Sequence, residues 1–141
     1  MVTIKIEKLK TEVKIPVYAN PEDAGLDVFS QEYIILKPGK PHVFNLGFKA
    51  EIPEGHVALV WDKGGFGKAG IKTLAGVIDA SYRGEWVVIL QNLSRKNFKV
   101  RKGDKIAQIL IQKVEKVKII NTDKLTKSLR GEGKFGSSGR K

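Results

Sequence analysis

The sequence of 141 residues contains no cysteine and only two histidines, His42 and His56. The absence of cysteine excludes disulfides, thiolate-bound zinc, iron–sulfur clusters and thiol nucleophiles. Two histidines exclude a three-histidine metal site within one chain. No apolar run approaches the roughly 20 residues that span a bilayer, and the N-terminal residues alternate charge and apolarity, unlike a signal peptide. We therefore expect one domain, no membrane partner and a reducing cytoplasm.

Acidic residues are scarce relative to basic ones. The sequence contains 26 Lys and Arg residues and 15 Asp and Glu residues, which gives a formal net charge of +11. Such a charge attracts anions, from nucleotides to nucleic acids. Lysine crowds mildly at 95–105 and 113–127, but neither stretch has the interleaved aromatics of a nucleic-acid platform. A solvated lysine-rich surface explains the charge as well, so the sequence does not favour nucleic acid as a partner.

Helical periodicity is also lacking. Strand-like runs recur every 8–12 residues with turn residues between them, from TIKIEKL near the N-terminus to KIAQILIQKVEKVKII at 105–120. This pattern predicts an all-β sandwich or barrel. At most a turn or two of helix is expected near residues 63–70, where Gly64, Gly65 and Gly67 weaken it.

Three polar residues stand out within the predicted strands and turns. Asp79, in GVIDASYRGE between Gly76 and Gly84, reads as a hairpin residue that either forms a turn or acts as a general base. Gln108 is the polar exception in KIAQIL, and period 2 places it on the face of Ile106. Asp27 is an unusual strand residue, which an edge position or a hydrated Mg²⁺ would explain.

The final segment, residues 130–141, differs in composition from the rest. RGEGKFGSSGRK contains four glycines, two serines and one aromatic residue, Phe135. It reads either as a disordered end or as a flap in which Arg130 and the serines bind an anion.

Together these stretches resemble the five ordered motifs of the trimeric dUTPase family. The motifs are AGLDVFS, DKGGFGKAGI, GVIDASYRGE, GDKIAQIL and RGEGKFGSSG, and they span residues 24–139. The resemblance implies a distorted jelly-roll, β-barrel-like domain over residues 1–129, a flexible lid over 130–141 and a homotrimer with shared active sites. It also implies Mg²⁺-dependent hydrolysis of dUTP to dUMP and pyrophosphate, which keeps uracil out of DNA and supplies dUMP.

The resemblance also assigns roles to residues. Asp79 would deprotonate the water that attacks the α-phosphorus, and the ring of Tyr82 would exclude a 2′-hydroxyl. Backbone groups of the 76–82 stretch, including Gly76 and Ile78, would bind uracil, and Asp27 would reach Mg²⁺ through water. The implied phosphate and lid contacts are Lys63, Gly64, Gly65, Gln108, Arg130, Gly136, Ser137 and Ser138, with Phe135 stacked on uracil.

Two positions depart from the family pattern. Gly64 follows Lys63 where the family usually has serine after a basic residue, so one hydroxyl contact to phosphate is missing. Lys134 stands where glycine is common and adds a positive charge.

Three alternatives to a dUTP hydrolase remain at the level of sequence. A dCTP deaminase shares the fold, and a non-catalytic regulator could use the same scaffold to sense a nucleotide. The third, a basic β-barrel that binds nucleic acid, is supported only by the net charge.

Overall fold

The computed structural model describes residues 1–135 and 137–138 and shows an almost entirely β protein. Ten strands and one short helix follow one another along the described chain. The strands are β1 Lys5–Lys8, β2 Leu26–Phe29, β3 Ile34–Leu36, β4 Pro41–Glu51, β5 His56–Asp62, β6 Ile71–Leu74, β7 Val77–Asp79, β8 Glu85–Asn92, β9 Phe98–Val100 and β10 Lys105–Lys113. The helix α1, Gly64–Lys68, lies where the sequence allowed one.

The strands form three antiparallel sheets. One has the order β1-β4-β8-β6, the second β2-β10-β5-β7, and the third pairs β3 with β9. Neighbouring strands in these sheets are often distant in sequence. The expected all-β jelly-roll fold is confirmed.

The core lies on the inward faces of the two four-stranded sheets. Alternate residues of β4 and β8 point into it, including Phe44, Phe48, Trp86 and Val88, each at most 1% exposed. The ring centroids of Phe48 and Trp86 lie 5.6 Å apart. Burial of such large apolar side chains, at roughly 25 cal/mol per Å², is the main force holding the sheets together.

Two details of β10 differ from the sequence prediction. The strand ends at Lys113 and does not continue to Ile120; the residues from Glu115 to Ile120 are exposed and lie outside any strand. In addition, the register with β2 shifts between Lys105 and Ala107. This irregularity interrupts the alternation of inward and outward side chains along β10. Ile106 is fully buried, whereas Gln108, predicted on the same face, is only partly buried.

Candidate active site

The first group of predicted site residues meets at the β2–β10 pair. Asp27 of β2 is 2% exposed, and its carboxylate lies between two ammonium groups. Nζ of Lys63 is 2.7 Å from Oδ1, and Nζ of Lys105 is 2.7 Å from Oδ2. Burial alone would raise the pKa of Asp27, but the hydrogen bonds and charges of the two lysines outweigh it and hold that pKa below its usual value.

Gln108 lies directly beside this carboxylate. The β-sheet register places it opposite Asp27 on β2 and opposite Trp61 on β5. Its Nε2 donates to the backbone oxygen of Asp62 at 2.9 Å, which fixes the amide. We name Asp27, Lys63, Lys105 and Gln108 the lysine–carboxylate cluster.

Lys105 is the member of this cluster that the sequence analysis missed. Its only sequence signal is its place three residues before Gln108 in GDKIAQIL. The side chains of Lys63 and Lys105 remain 30% and 45% exposed, so both ammonium groups border solvent. The buried carboxylate of Asp27 thus holds two partly exposed ammonium groups close together, and such a pair of cations can bind a phosphate group.

Lys63 is the N-cap of α1, which begins at the next residue, Gly64. A Cβ added at Gly64 or Gly65 would meet nothing within 4 Å, so this backbone is open to a ligand. The first amides of any helix lack an intrahelical acceptor. Gly64 and Gly65 thus place free donors next to the lysine–carboxylate cluster.

The second group of site residues surrounds Asp79. The expected hairpin is wrong in one respect: β7 pairs with β5, whereas β8 pairs with β4 and β6 of the other four-stranded sheet. The strands on either side of the turn diverge because they join different sheets. They leave a cleft of about 220 Å³, lined by residues that include Gly76, Ile78, Asp79, Tyr82 and Trp86.

The backbone at the start of this cleft is unusual. Ala75 has a φ of 59° and Gly76 a φ of 123°. A left-handed conformation is unfavourable for alanine, and such strain concentrates at functional sites. The carbonyl of Gly76 accepts from the amide of Val60 at 2.8 Å, and a Cβ on Gly76 would lie 3.0 Å from that residue. These contacts hold β7 in place at the edge of its sheet.

The turn after β7 holds Tyr82 and leaves Asp79 open. The carbonyl of Asp79 accepts from the amide of Tyr82 at 3.0 Å, and the hydroxyl of Tyr82 donates to the carbonyl of Glu85 at 3.0 Å. The side chain of Asp79 is exposed at the mouth of the cleft. A carboxylate there can accept a proton from a water molecule held nearby.

One chain does not bring the two groups together. Asp79 lies opposite Val57, whereas Gln108 lies opposite Trp61, four residues farther along β5. Asp27 lies on β2, three strands from β7 in the same sheet. At about 3.3 Å per residue and 4.8 Å per strand, Asp79 and Asp27 are on the order of 20 Å apart.

Among the described residues, no hydrogen bond or ion pair joins the C-terminal site residues to either group. Arg130 donates from Nε to the carbonyl of Gly133 at 3.0 Å, and Phe135 is fully exposed. Ser137 and Ser138 are exposed as well. The predicted contact Gly136 and the last three residues of the predicted lid, 139–141, lie outside the described residues.

The described residues do not form a ready ligand set for magnesium. No group of three or more His, Cys, Asp or Glu is placed to hold a metal in the part of the chain that the structure describes. Both oxygens of Asp27 are engaged by lysines, so a contact with a hydrated ion requires one lysine to move.

Comparison with known proteins decides the family. A family model described as dUTPase matches residues 11–139. The deoxyuridine 5'-triphosphate nucleotidohydrolase of Clostridium tetani is 45% identical over 141 residues, covering 98% of this chain and 97% of the relative. The chain belongs to the dUTPase family.

Solved dUTPase structures agree with this membership. A point mutant of the Staphylococcus bacteriophage 80alpha dUTPase, with dUpNHpp, has a TM-score of 0.85 at 25% identity and covers 97% of this chain and 98% of its own. A point mutant of the dUTPase from phage phi11 of S. aureus, described with a structural Mg(II) ion, shares the fold at a TM-score of 0.79 and 22% identity, with coverage of 86% and 97%. Among the residues that the structure describes, no helix is long and apolar enough to cross a membrane.

Proposed function

We propose that this dUTPase hydrolyses dUTP to dUMP and pyrophosphate with Asp79 as the general base. The proposed activity is supported by membership of the dUTPase family, because the family model matches residues 11–139. In the proposed step, the Asp79 carboxylate takes a proton from water while the water oxygen bonds to the α-phosphorus. The bond from that phosphorus to its bridging oxygen breaks, and pyrophosphate leaves with the oxygen. A placed carboxylate base contributes typically 10²–10⁴-fold.

The cleft between β7 and β8 is the proposed site for the deoxyuridine. Within the described chain β7 pairs only with β5, so its other edge offers free backbone donors and acceptors beside Gly76 and Ile78. Hydrogen bonds from that edge can match the edge of uracil, and a close fit would exclude a methyl group at C5. The ring of Tyr82 would pack under the sugar and exclude a 2′-hydroxyl.

The lysine–carboxylate cluster is the proposed site for the phosphates. Lys63 and Gln108 would donate to phosphate oxygens, with the amides of Gly64 and Gly65 beside them. The missing serine at position 64 removes one donor, and the ammonium group of Lys105 lies close enough to this site to compensate in charge.

The C-terminal segment, residues 130–141, is the proposed lid on the domain formed by residues 1–129. Closure would exclude water and bring Arg130 to the outer phosphates, where its planar, always charged group can bind in two places at once. Phe135 would stack on uracil. The remaining proposed contacts of the lid are Gly136, Ser137 and Ser138.

A homotrimer with shared sites explains the separation of the two groups. Asp79 and the lysine–carboxylate cluster lie about 20 Å apart on one chain, which is too far for a single triphosphate to bridge with the geometry that the reaction needs. A neighbouring copy can place its Asp79 next to the cluster of this one. The proposed assembly therefore supplies the base and the phosphate site from different chains.

Magnesium is the proposed cofactor, and its contribution when bound would be to neutralise phosphate charge. It would arrive with the triphosphate, because Mg²⁺ is usually held by substrate phosphates and water with one or two carboxylates. The protein's own contribution to the phosphate site is the positive charge of Lys63 and Lys105. The cytoplasm stays the proposed compartment, on the absence of cysteine alone.

The alternatives from the sequence are not favoured. The relatives at 36–45% identity are dUTP nucleotidohydrolases, which speaks against a dCTP deaminase. The cleft retains Asp79, which a regulator that only binds nucleotide does not need.

A product assay tests the activity. We expect the purified protein with Mg²⁺ to convert dUTP to dUMP and pyrophosphate and to leave dCTP, dTTP and UTP unchanged. Release of ammonia from dCTP, or no turnover of dUTP, would contradict the proposal.

The variant Asp79→Asn tests the base. It keeps the size of the side chain and removes its basicity, so we expect binding of the analogue dUpNHpp to persist while kcat falls by about 10²–10⁴-fold. Asp123→Asn, an exposed residue outside the site, is the control and should leave kcat unchanged. Retained activity in Asp79→Asn would show that the base is another group.

A further inference from the structure

Two segments that are distant in sequence form one strongly basic surface. Residues 33–41 and 94–103 contain seven basic and no acidic residues. They are joined by the pairing of β3 with β9 and by Asn92, whose Nδ2 donates to the carbonyls of Leu36 at 2.8 Å and Lys96 at 2.7 Å. We name this surface the basic face. Its charged residues are Lys37, Lys40, Arg95, Lys96, Lys99, Arg101 and Lys102.

All seven charged groups are exposed, and none forms an ion pair with an acidic side chain among the described residues. Asp104, which borders the face, accepts a hydrogen bond from the backbone amide of Arg101 at 2.7 Å. All fifteen acidic residues lie elsewhere in the sequence. Some lysines there are paired with them: Lys5 lies 2.9 Å from Glu51, and Lys72 lies 2.6 Å from Asp62. Concentrated charge of one sign repels itself and disfavours the folded state. A surface that served solubility alone would intersperse both signs, as the rest of this chain does.

The structure also adds an aromatic group that the linear sequence does not show. β3 and β9 pair with Ile34 opposite Val100 and Ile35 opposite Lys99. Tyr33 comes directly before β3 and Arg101 directly after β9, so both lie at the same end of this antiparallel pair. Tyr33 is 57% exposed, in alternation with partly buried Ile34. An exposed ring therefore lies among unpaired cations on the outer side of the two-stranded sheet.

We propose that the basic face binds single-stranded nucleic acid. The cations would contact successive phosphates, and a base would stack on the ring of Tyr33, the combination found in sequence-tolerant binding of single strands. The face consists of short strands and loops, without a helix to enter a major groove or an amphipathic helix to lie on a lipid surface. This binding is independent of the catalytic cleft.

Fluorescence anisotropy with a labelled oligo(dA) of about twenty nucleotides tests the proposal. Adenine is used because the cleft between β7 and β8 is the proposed site for a pyrimidine, which is smaller than a purine. We expect binding that weakens with salt and that saturating dUpNHpp does not displace. The double variant Lys99→Glu/Arg101→Glu should reduce affinity at least tenfold and lower the slope of log K against log salt by about 1.4, for two lost phosphate contacts. Tyr33→Ala should reduce affinity about tenfold with the salt slope unchanged.

A matched control carries the same change in net charge. Lys113→Glu/Lys118→Glu alters two exposed lysines outside the basic face and should change affinity by less than about threefold. All of these variants should hydrolyse dUTP at the rate of the wild type. The proposal is overturned if no oligonucleotide binds, if dUpNHpp displaces it or if the control loses as much affinity as the face variant. The proposal would also be overturned if the wild type bound anionic lipid vesicles and the variant Lys99→Glu/Arg101→Glu lost as much affinity for them as for the oligonucleotide. That result would identify a membrane-binding surface instead.

Discussion

The side chain of Gln108 lies across the α-carbon of Gly25, in space that any other residue at position 25 would fill. A Cβ on Gly25 would lie 2.5 Å from Oε1 of Gln108 and 3.1 Å from its Cβ and Cδ. The amide of Gln108 is held from the other side by the carbonyl of Asp62. Gly25 and Asp62 together determine where this amide of the proposed phosphate site points.

The variant Gly25→Ala should therefore displace Gln108. We expect kcat/KM for dUTP to fall about tenfold, the equivalent of one lost hydrogen bond to a charged group. In a Gln108→Ala background the same change should cost almost nothing, because the clashing side chain is gone. Steady-state kinetics of the two single variants and the double variant measure this coupling.

Gly67→Ala provides the control for that cycle. A Cβ on Gly67 would meet nothing within 4 Å, and alanine favours the helix that contains it. We expect unchanged kcat/KM and slightly higher stability. If the losses in kcat/KM of Gly25→Ala and Gln108→Ala were additive in the double variant, Gly25 would matter for its own backbone conformation and not for the position of Gln108.

Gly84 has the corresponding relationship with Tyr82. A Cβ on Gly84 would lie 2.2 Å from the hydroxyl oxygen of Tyr82 and 2.5 Å from Cζ, so Gly84→Ala must shift the ring. If the ring excludes the 2′-hydroxyl, the ratio of kcat/KM for dUTP over UTP should fall about tenfold or more. Tyr82→Phe keeps the ring and should preserve the ratio. If Gly84→Ala left this ratio unchanged, the selectivity for deoxyribose would not depend on the position of Tyr82.

Much of the fold was predictable because local patterns and tertiary structure agree. Alternation along β4 and β8 matches their buried faces, and the three glycines after Lys63 limited the helix to five residues. The strand prediction for residues 115–120 was wrong because apolar residues there imitate a strand, although no strand of the described chain pairs with them.

The site was only partly predictable from sequence. The motifs marked Asp27 and Asp79 as candidate site residues, and their roles stay predictions. Periodicity, however, carries no information on which sheet a strand joins. The divergence of β7 and β8, which opens the cleft, and the distance between Asp79 and Asp27 depend on long-range pairing. Lys105 was missed because a lysine at the start of a strand is ordinary until its buried partner is known.

Asp27 should make stability depend on pH in the acid range. Its pKa is lowered in the folded protein, so its stabilising effect is present above the unfolded value of about 3.9 and is lost as pH falls through the folded pKa. Asp27→Asn should lower the free energy of unfolding by about 1–3 kcal/mol near neutral pH, since two lysines then face no anion.

Urea denaturation from about pH 7 to pH 3 measures this effect. The difference between wild type and Asp27→Asn should shrink as pH falls below about 3.9. Asp123→Asn, at an exposed position without an ion pair among the described residues, should show no difference at any pH. A difference that stays constant down to low pH would mean that the charge of Asp27 does not stabilise the fold.

Removal of residues 130–141 should abolish turnover and leave the folded domain intact. No core residue of the described chain lies beyond Ile109, and Phe135 is fully exposed. We therefore expect the same melting temperature and the same size on gel filtration as the full chain, with kcat/KM lower by at least about 10²-fold because water and the outer phosphates are no longer controlled. The single variant Phe135→Ala should give a smaller loss, mostly in KM, since stacking contributes about 1–3 kcal/mol. Full activity of the truncated protein would show that the segment is a dispensable tail, whereas a drop in melting temperature would show that it belongs to the fold.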